Sequence, residues 1–417
     1  MPDAALLSLS HHITLDWLRE AWKRTRKDGA VGVDGVTAHE YEQDLERNLQ
    51  DLLDRAKSGR YRAPAVRRVH IPKGTKGDTR PLGIPTLEDK ILQRAVAMCL
   101  SAVYEQDFLP CSYGFRPGRS AHGAIAAVWQ GVMDFGQAWV LEVDIKRFFD
   151  ALDHSHLREI LGQRVRDGVI TRLIGKWLKA GVPEDGSVSY PDAGTPQGGV
   201  ISPLLANVYL HTVLDRWMME VVAPKLRGPI RVIRYADDFV IVFRDEQDAR
   251  RVHAALPQRF ARYGLELHPE KTRLIEFRQP PYGQKARPTT SFDFLGFTHF
   301  WARSRKGGGW VVKRSTAKTS FTKAVRSIRQ WCRTHRHDSL PSQHRMLCAK
   351  LRGHYGYFGI TGNETGIRSF HAEVRREWRK WLSRRCWKGQ LFWDQYRQLL
   401  KRYPLAPPRI AHPSGRS

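Results

Sequence analysis

Apolar residues follow two spacings along the chain, one typical of strands and one typical of helices. Short apolar runs predict strands at 137–145, "QAWVLEVDI", and in both halves of "RVIRYADDFVIVF" at 231–243. Apolar residues three and four positions apart predict helices at 89–106, 154–166 and 202–221. In the last of these, Ser202 suits the N-cap and Pro203 suits the first helical position. The chain is therefore predicted to mix helices with strands.

The pattern changes near residue 305, where we expect a boundary between domains. A glycine-rich turn or linker, "SRKGGGW", lies at 304–310, and a loop, "QPPYGQKARP", lies at 279–288. After residue 310 the spacing predicts only helices. One of them, "RREWRKWLSRRCWK" at 375–388, has an apolar stripe containing Trp378 and Trp381 among seven Lys and Arg residues. Its basic face is either simply solvated or in contact with phosphate.

Charge narrows the class of partner. The 417 residues carry a net charge of +27 with a pI near 10.2, and residues 301–417 hold 27 Lys and Arg against 5 Asp and Glu. Such an excess predicts a polyanionic partner, and nucleic acid is the first choice. A membrane surface is the alternative, but no apolar stretch approaches the roughly 18 residues of a spanning helix.

Targeting and cysteine patterns indicate a cytoplasmic protein. The N-terminus "MPDAALLSLSHHITL" lacks the basic region of a secretion signal. The five cysteines form no Cys-x-x-Cys pair, so neither a zinc cluster nor a disulfide framework is indicated. We therefore expect a reducing, cytoplasmic location.

The strongest chemical signal is a pair of adjacent carboxylates, Asp237 and Asp238, in the predicted hairpin. Two-residue hairpin turns prefer glycine, which is missing here, and adjacent carboxylates repel each other. A solvated acidic turn is the plain alternative. A third carboxylate, Asp144, ends the strand at 137–145, so all three converge if that strand lies beside the hairpin. Three carboxylates can hold two divalent cations such as Mg²⁺, about 4 Å apart, for phosphoryl transfer.

Several ordered blocks resemble one family, the bacterial group II intron reverse transcriptases and maturases. "YADD" and "VDIKRFFD" are similar to its two metal-binding segments, and "AGTPQGGVISPLLANVYL" at 193–210 is the most specific block. The blocks "GVDGVT", "IPKGTKGDTRPLGIPTLEDKILQRAV", "SYGFRPGRSAH", "GLELHPEKTRL", "FDFLGF" and "LRGHYGYFGI" also match. The resemblance extends from about residue 20 to the end of the chain.

The resemblance implies an α+β, right-hand polymerase fold. Fingers and palm, with an antiparallel palm sheet, would occupy residues 1–305, including an N-terminal extension over about 1–60. A helical thumb (maturase) domain would occupy 306–365, and a short basic region for contacts with DNA or RNA would occupy 366–417. The family's His-Asn-His endonuclease is expected to be missing, because no paired cysteines occur after residue 365.

The resemblance also implies the activity, an RNA-directed DNA polymerase that helps its intron RNA to splice and move. Its partners would be an RNA template, structured intron RNA, a DNA primer or target, and deoxynucleoside triphosphates, with no membrane. Its cofactor would be Mg²⁺ at a two-metal site, with Mn²⁺ as a substitute. Two other readings stay open: a splicing maturase that only binds RNA, and a domesticated reverse transcriptase in host defence or repair.

Site residues carry over from the matching blocks. Asp144 and Asp237 would be the main metal ligands and Asp238 the third carboxylate. Lys73 and Arg80 would reach the incoming triphosphate, although a solvated basic loop is the alternative.

Further substrate contacts are implied around the nucleotide. Gln197 would lie against the nucleotide or template, with Gly198 allowing close approach of the backbone. Lys271 would donate a proton to pyrophosphate or form a surface salt bridge, and Tyr235 would pack near the primer end. Phe149 would exclude the 2′-hydroxyl of a ribonucleotide, unless it belongs to the core.

Two more residues belong to the block "SYGFRPGRSAH". Phe115 and Arg116 would contact the template or pack within the fingers, and the sequence leaves this choice open.

Overall fold

The fold divides into two compact units, Met1–Arg278 and Gln279–Ser417. The computed structural model of the chain describes residues 4–72, 79–184, 187–189, 198–281, 289–304, 307–385 and 390–413. The division thus falls at the predicted loop 279–288, before the boundary expected near residue 305.

In its described residues the first unit combines helices with three antiparallel sheets. Its helices are α1 Leu15–Arg24, α2 Ala38–Glu42, α3 Leu45–Ser58, α4 Leu87–Tyr104, α5 Ala121–Phe135, α6 Phe148–Ala151, α7 His154–Arg164, α8 Gly168–Leu178, α9 Ser202–Leu210 and α10 Glu246–Ala261. Its strands are β1 Arg67–Pro72, β2 Thr79–Ile84, β3 Gln137–Val143, β4 Val182–Glu184, β5 Ser187–Ser189, β6 Ile230–Tyr235, β7 Asp238–Phe243 and β8 Arg273–Arg278.

A four-stranded antiparallel sheet, in the order β6-β7-β3-β8, forms the centre of this unit. Strands β3 and β7 are buried except at their first residues, because α5 and α10 pack against the sheet. Two covered faces require apolar side chains at consecutive positions, which explains the continuous run "FVIVF". The predicted strand at 137–145 and the predicted hairpin are confirmed.

The predicted helices are also present, with one correction at a helix start. The helices predicted at 89–106 and 154–166 are α4 and α7. The third begins with Ser202 inside the helix and Ile201 at the N-cap, so the prediction that Ser202 caps it was wrong. The amide of Ser202 already donates to Gly199 O at 3.3 Å, which starts the turn one residue earlier. This helix continues with π-helical geometry over His211–Val222.

The second unit has a three-stranded antiparallel sheet beside four helices in its described part. Its strands are β9 Ser291–Phe294, β10 Phe297–Arg303 and β11 Trp310–Thr316, and its helices are α11 Lys318–Thr334, α12 Leu340–Phe358, α13 Glu364–Leu382 and α14 Trp393–Arg402.

Strand β11 contradicts the expectation that only helices follow residue 310. Arg303 pairs with Trp310, and the amide of Ser304 donates to Gly309 O at 2.7 Å. Strands β10 and β11 on either side of the glycine-rich segment therefore form an antiparallel hairpin, which favours the turn over the linker. The apolar spacing did not predict β11 because this strand buries only two alternate residues, Trp310 and Val312. That pattern is short compared with the helical patterns that follow it.

The helices of the second unit enclose their own apolar core. Trp378 on α13 is fully buried, and its indole Nε1 donates to Gln343 Oε1 at 2.8 Å. The predicted helix at 375–388 is confirmed as far as Leu382. Within the described residues, no helix in either unit is both long and apolar enough to cross a bilayer.

Candidate active site

The candidate site lies at one edge of the four-stranded sheet, where β3 ends and β7 begins. Val143 pairs with Phe239 across the antiparallel ladder. Asp144 follows Val143, so the register places it opposite Asp238. Asp237 belongs to the turn that precedes β7. The assumption made from sequence, that the strand at 137–145 lies beside the hairpin, is therefore correct.

The turn between β6 and β7 has a backbone conformation that its sequence does not favour. Ala236 has a φ of 57°, in the left-handed region that non-glycine residues seldom adopt. The loop containing Gly114 presses against it, since a Cβ added to Gly114 would lie 2.3 Å from Ala236 N. Asn207 Nδ2 holds that loop by donating to Gly114 O at 2.7 Å. Tertiary contacts thus maintain a turn that a glycine would otherwise supply.

A buried arginine lies beneath the same turn. Arg234 is fully buried, and its guanidinium forms an ion pair with Asp215, with Nε donating to Oδ1 at 2.8 Å. Other N–H groups of Arg234 donate to Asn207 Oδ1 at 2.8 Å, Ser112 Oγ at 2.8 Å and Ala236 O at 3.0 Å. Sequence reasoning missed this network. Its detectable signal is a cation on a strand whose neighbouring positions are apolar.

The three carboxylates interact electrostatically. Desolvation by the surrounding protein, followed by the negative charges of Asp237 and Asp144, raises the pKa of Asp238 to about 6. Asp238 keeps an exposed surface at the sheet edge. Repulsion by the two neighbouring carboxylates acts on this group even where it meets solvent. Such concentrated negative charge favours a bound cation.

Lys271 supplies one positive charge to this edge. Its ammonium donates to Asp144 Oδ2 at 2.9 Å, and His268 N donates to the backbone oxygen of Asp144 at 2.8 Å. Lys271 precedes β8, which pairs with β3. Of the two roles that the sequence allowed, the structure shows an ion pair, although its partner is a predicted metal ligand rather than an ordinary surface acid.

The carboxylates at this edge are suitable ligands for a hard divalent cation, but they are not arranged to hold one. Carboxylate oxygens are the ligands that Mg²⁺ prefers, and the raised pKa of Asp238 records negative charge that a cation would neutralise. In the described part of the chain, however, no three acidic, imidazole or thiol side chains are arranged to hold one ion. Asp144 is engaged by Lys271 instead. The ammonium thus already neutralises part of the negative charge on one of the predicted ligands.

Comparison with known proteins identifies the family. The sequence pattern of the family described as reverse transcriptase (RNA-dependent DNA polymerase) matches residues 71–299. The chain belongs to the reverse transcriptase family. That match covers the hairpin, β3 and Lys271, and it confirms the resemblance seen in the sequence.

Individual relatives agree with this assignment. Protein YkfC of Escherichia coli K12 is 38% identical over 258 residues, which are 54% of this chain and 68% of YkfC. The group II intron-encoded protein LtrA of Lactococcus lactis subsp. cremoris is 42% identical over 176 residues, 42% of this chain and 29% of LtrA. A 91 kDa protein in the cob intron of Schizosaccharomyces pombe is 36% identical over 183 residues, 44% of this chain and 22% of that protein. The chain thus spans under a third of the length of both intron proteins.

In this reverse transcriptase, two adjacent phenylalanines follow the carboxylate of β3. Phe148 is 2% exposed, whereas Phe149 is half-buried and lies edge-on to it, with ring centroids 5.3 Å apart. Arg147 before them has a φ of 43°, which turns the chain sharply after β3. Phe148 therefore belongs to the core, and Phe149 is the ring with free surface.

The predicted nucleotide-binding residues of the reverse transcriptase are only partly visible. Lys73 and Gln197 lie outside the described residues, and Arg80 lies on β2. Gly198 has a φ of 115°, and a Cβ added to it would lie 2.4 Å from Gly83 O on β2. Gly198 thus lies against β2, whereas the role predicted for it was to let the backbone approach the nucleotide or template.

The block around Phe115 divides into one exposed and one buried residue. Phe115 is 61% exposed, and its ring lies 6.2 Å from that of Tyr235, the last residue of β6. Arg116 is buried, pairs with Glu105 at 3.0 Å and donates to Ser112 O at 3.0 Å. Arg116 is therefore a packing residue, whereas Phe115 and Tyr235 form an accessible aromatic pair beside the carboxylates.

Proposed function

We propose that this chain is an RNA-directed DNA polymerase whose active centre is the edge of β3 and β7. The observation that carries the proposal is the antiparallel register that sets Asp144 opposite Asp238, with Asp237 in the adjoining turn. Membership of the reverse transcriptase family supports the same reaction.

The proposal includes a right-hand arrangement of the fold. The four-stranded sheet with α5 and α10 would be the palm, and the N-terminal helices with the β1–β2 hairpin would be the fingers. The helices over residues 306–365 would form the thumb, and residues 366–417 would be a short basic contact region. The antiparallel sheet supports the palm assignment, since its edge carries the carboxylates.

Asp144, Asp237 and Asp238 would hold Mg²⁺, with Mn²⁺ as a substitute. When bound, two such ions lower the cost of charge on the attacking and leaving oxygens of phosphoryl transfer. Lys271 would then leave Asp144 and face the phosphates, where an ammonium can hold or donate a proton. Arg234 would act as a positioning residue, because it binds the carbonyl of the turn and not the substrate.

Substrate selection would rest on residues around this edge. Phe149 would exclude a 2′-hydroxyl with its half-exposed ring, and Tyr235 would pack near the primer end. Lys73 and Arg80 would bind the triphosphate, and Gln197 would lie against the nucleotide or template. The substrates would be deoxynucleoside triphosphates, an RNA template and a DNA primer.

A second candidate function, assistance to intron splicing, has its own support. Two of the relatives are described as a group II intron-encoded protein and as a protein in the cob intron. Residues 301–417 also carry 27 Lys and Arg against 5 Asp and Glu, enough to bind a structured RNA. The partner would then be intron RNA. An RNA-binding maturase without synthesis, or a domesticated enzyme of defence or repair, is the alternative.

The polymerase is tested by Asp144→Asn and Asp237→Asn on a primed RNA template. Each change should slow extension at least about a thousandfold, because loss of metal-supported charge stabilisation costs several kcal/mol. RNA binding should be retained. Asp54→Asn, an exposed acid on α3, is the matched control and should extend normally. Near-normal synthesis by either site variant would disprove the assignment.

The maturase role is tested separately, by splicing of an intron RNA taken from the flank of the gene. Asp237→Asn should splice like the parent, since binding and folding RNA does not need the carboxylates. Splicing without synthesis in the parent would indicate an RNA-binding maturase, and synthesis without splicing would indicate a domesticated polymerase.

A further inference from the structure

A basic cleft of about 470 Å³ lies in the first unit, lined by residues outside the carboxylate edge. It is formed by α7, α8 and the chain segments after α3 and after α8. Five cations line it: Arg62, Arg158, Arg172, Lys176 and Lys179. Its other lining residues are alanine or glycine, so the described wall holds neither an acid nor an aromatic ring.

One of these cations has a structural task, and four remain available. Lys176 Nζ donates to Gly59 O at 2.8 Å and also to Tyr61 O, which ties α8 to the end of α3. The other four side chains are exposed. Within the described residues, no ion pair engages any of the four.

Glycines beside the cleft bring the two helical guanidinium groups close to the backbone. The Arg172 guanidinium lies 3.5 to 3.7 Å from where a Cβ on Gly59 would stand. Arg158 Nη2 lies 3.9 Å from the corresponding position of Gly175. Both groups therefore lie against the glycine-lined wall rather than extending freely from their helices.

We propose that this cleft binds the phosphate backbone of folded, double-helical RNA, at a place separate from the polymerase edge. Like charges without acidic partners repel each other, and polyanion binding relieves that repulsion while releasing counterions. Small side chains let a bulky backbone approach closely. The inference rests on the proposed function only in taking structured RNA as a partner.

The lack of aromatic residues in the described wall favours double-helical RNA over single-stranded nucleic acid as the ligand. Single strands are held by rings that stack on their bases, and this wall offers none in its described part. An A-form helix is recognised mainly through its shape and its phosphates, which cations between small residues can contact. Recognition at this site should therefore be independent of sequence.

The test compares two triple variants of the full chain with equal charge loss. The cleft variant is Arg158→Gln/Arg172→Gln/Lys179→Gln, and the control is Lys23→Gln/Lys225→Gln/Arg244→Gln, which changes three exposed, unpaired cations in the described part of the same unit. The affinity for a long RNA hairpin is measured against salt concentration. The salt slope is the slope of the logarithm of the affinity against the logarithm of the salt concentration, and each lost phosphate contact should reduce its magnitude by roughly 0.9. The cleft variant loses three cations, so its slope should fall by about 2.7. Its affinity at ~0.1 M salt should fall at least about tenfold. The control should stay within about threefold of the parent.

Two further measurements separate the possible outcomes. Arg158→Lys/Arg172→Lys keeps the charges and should keep the slope, which shows that the loss depends on charge rather than on the arginine side chains. Normal extension of a short primed template by the cleft variant shows that this variant is folded. Extension of a short primed template reports the polymerase independently. Parent and cleft variant with equal slopes would overturn the proposal even if synthesis is normal. If the parent itself cannot synthesise DNA and the cleft variant binds RNA with a reduced slope, the cleft proposal stands and the proposed polymerase fails.

A nucleotide site is the remaining competitor. If the cleft variant needs more deoxynucleoside triphosphate for half-maximal extension but keeps its RNA slope, the cleft binds triphosphate and the proposal is wrong.

Discussion

Replacement of Arg234 by lysine tests how the turn between β6 and β7 is held. Lysine keeps the charge and can keep one contact with Asp215, but it has one nitrogen where arginine has three. It cannot also satisfy Asn207 Oδ1 and Ala236 O, which Arg234 Nη1 contacts at 2.8 and 3.0 Å. Each buried acceptor left without a donor costs about 1–3 kcal/mol, so losing both donors should lower the free energy of unfolding by roughly 2–6 kcal/mol.

The same change should slow the reaction beyond its effect on folding. Ala236 has a φ of 57°, and without its carbonyl anchor the turn can relax away from that conformation. The carboxylates of Asp237 and Asp238 would then lie opposite Asp144 in a smaller fraction of the molecules. We expect a lower kcat per folded molecule, with little change in KM for the nucleotide, because no nucleotide contact is removed.

Arg231→Lys is the matched control on the same strand. Arg231 is exposed and pairs with Asp134 at 2.6 Å. A surface pair of this kind contributes about 0–1 kcal/mol. Urea unfolding, followed by tryptophan fluorescence, and single-nucleotide extension measure both effects. An Arg234→Lys midpoint equal to that of the control would refute the stability argument, and an unchanged rate per folded molecule would show that Arg234 does not position the turn.

Three other changes test separate parts of the structure. Phe149→Val should raise ribonucleotide incorporation while deoxyribonucleotide incorporation falls only modestly; equal discrimination by parent and variant in single-nucleotide extension would place the sugar contact elsewhere. Gly198→Ala places a Cβ 2.4 Å from Gly83 O, so the backbone at residue 198 must move. Extension should fall at least about tenfold while the melting temperature changes little. Normal extension would show that the close contact between Gly198 and Gly83 is dispensable. Burial raises the pKa of Asp89 from 3.8 to about 6. The folded state therefore gives up this proton at a higher pH than the unfolded chain does, so through this group the parent should lose about 2 kcal/mol of stability between pH 4 and 7. Asp89→Asn can still accept a hydrogen bond from Trp177 Nε1 but cannot ionise, so it should not show this loss. Urea unfolding of both proteins at several pH values measures the effect. A stability difference that stays the same at every pH would contradict the prediction.

Much of the first unit could be predicted because its signals are local. The run "FVIVF" and the strand before Asp144 are apolar at successive positions, which only a strand covered on both faces explains. The helices at 89–106 and 154–166 follow from the spacing of their apolar residues. Convergence of the carboxylates needed one added assumption, that the two segments are neighbours. The resemblance to a family supplied the sites that spacing could not.

Other features were inaccessible because distant segments create them. Arg234 meets Ser112 across 122 positions of sequence, and its apolar neighbours on the strand indicate burial but do not identify the groups that it contacts. Strand β11 exists because Arg303 pairs with Trp310, although its own pattern is short. Local spacing records which side of an element is apolar, but not which partner covers it.

The sequence by itself determined the strands of the four-stranded sheet, several helices of the first unit, the acidic residues at the edge of that sheet and the excess of basic residues. Those properties depend on residue type and on spacing within a few turns or one strand. The tertiary structure alone decided that Lys271 pairs with Asp144, that Arg234 holds the turn from beneath, and that cations from α7 and α8 share one cleft. Charges act over a few ångströms of space rather than along the chain, so their partners are known only once the chain is folded.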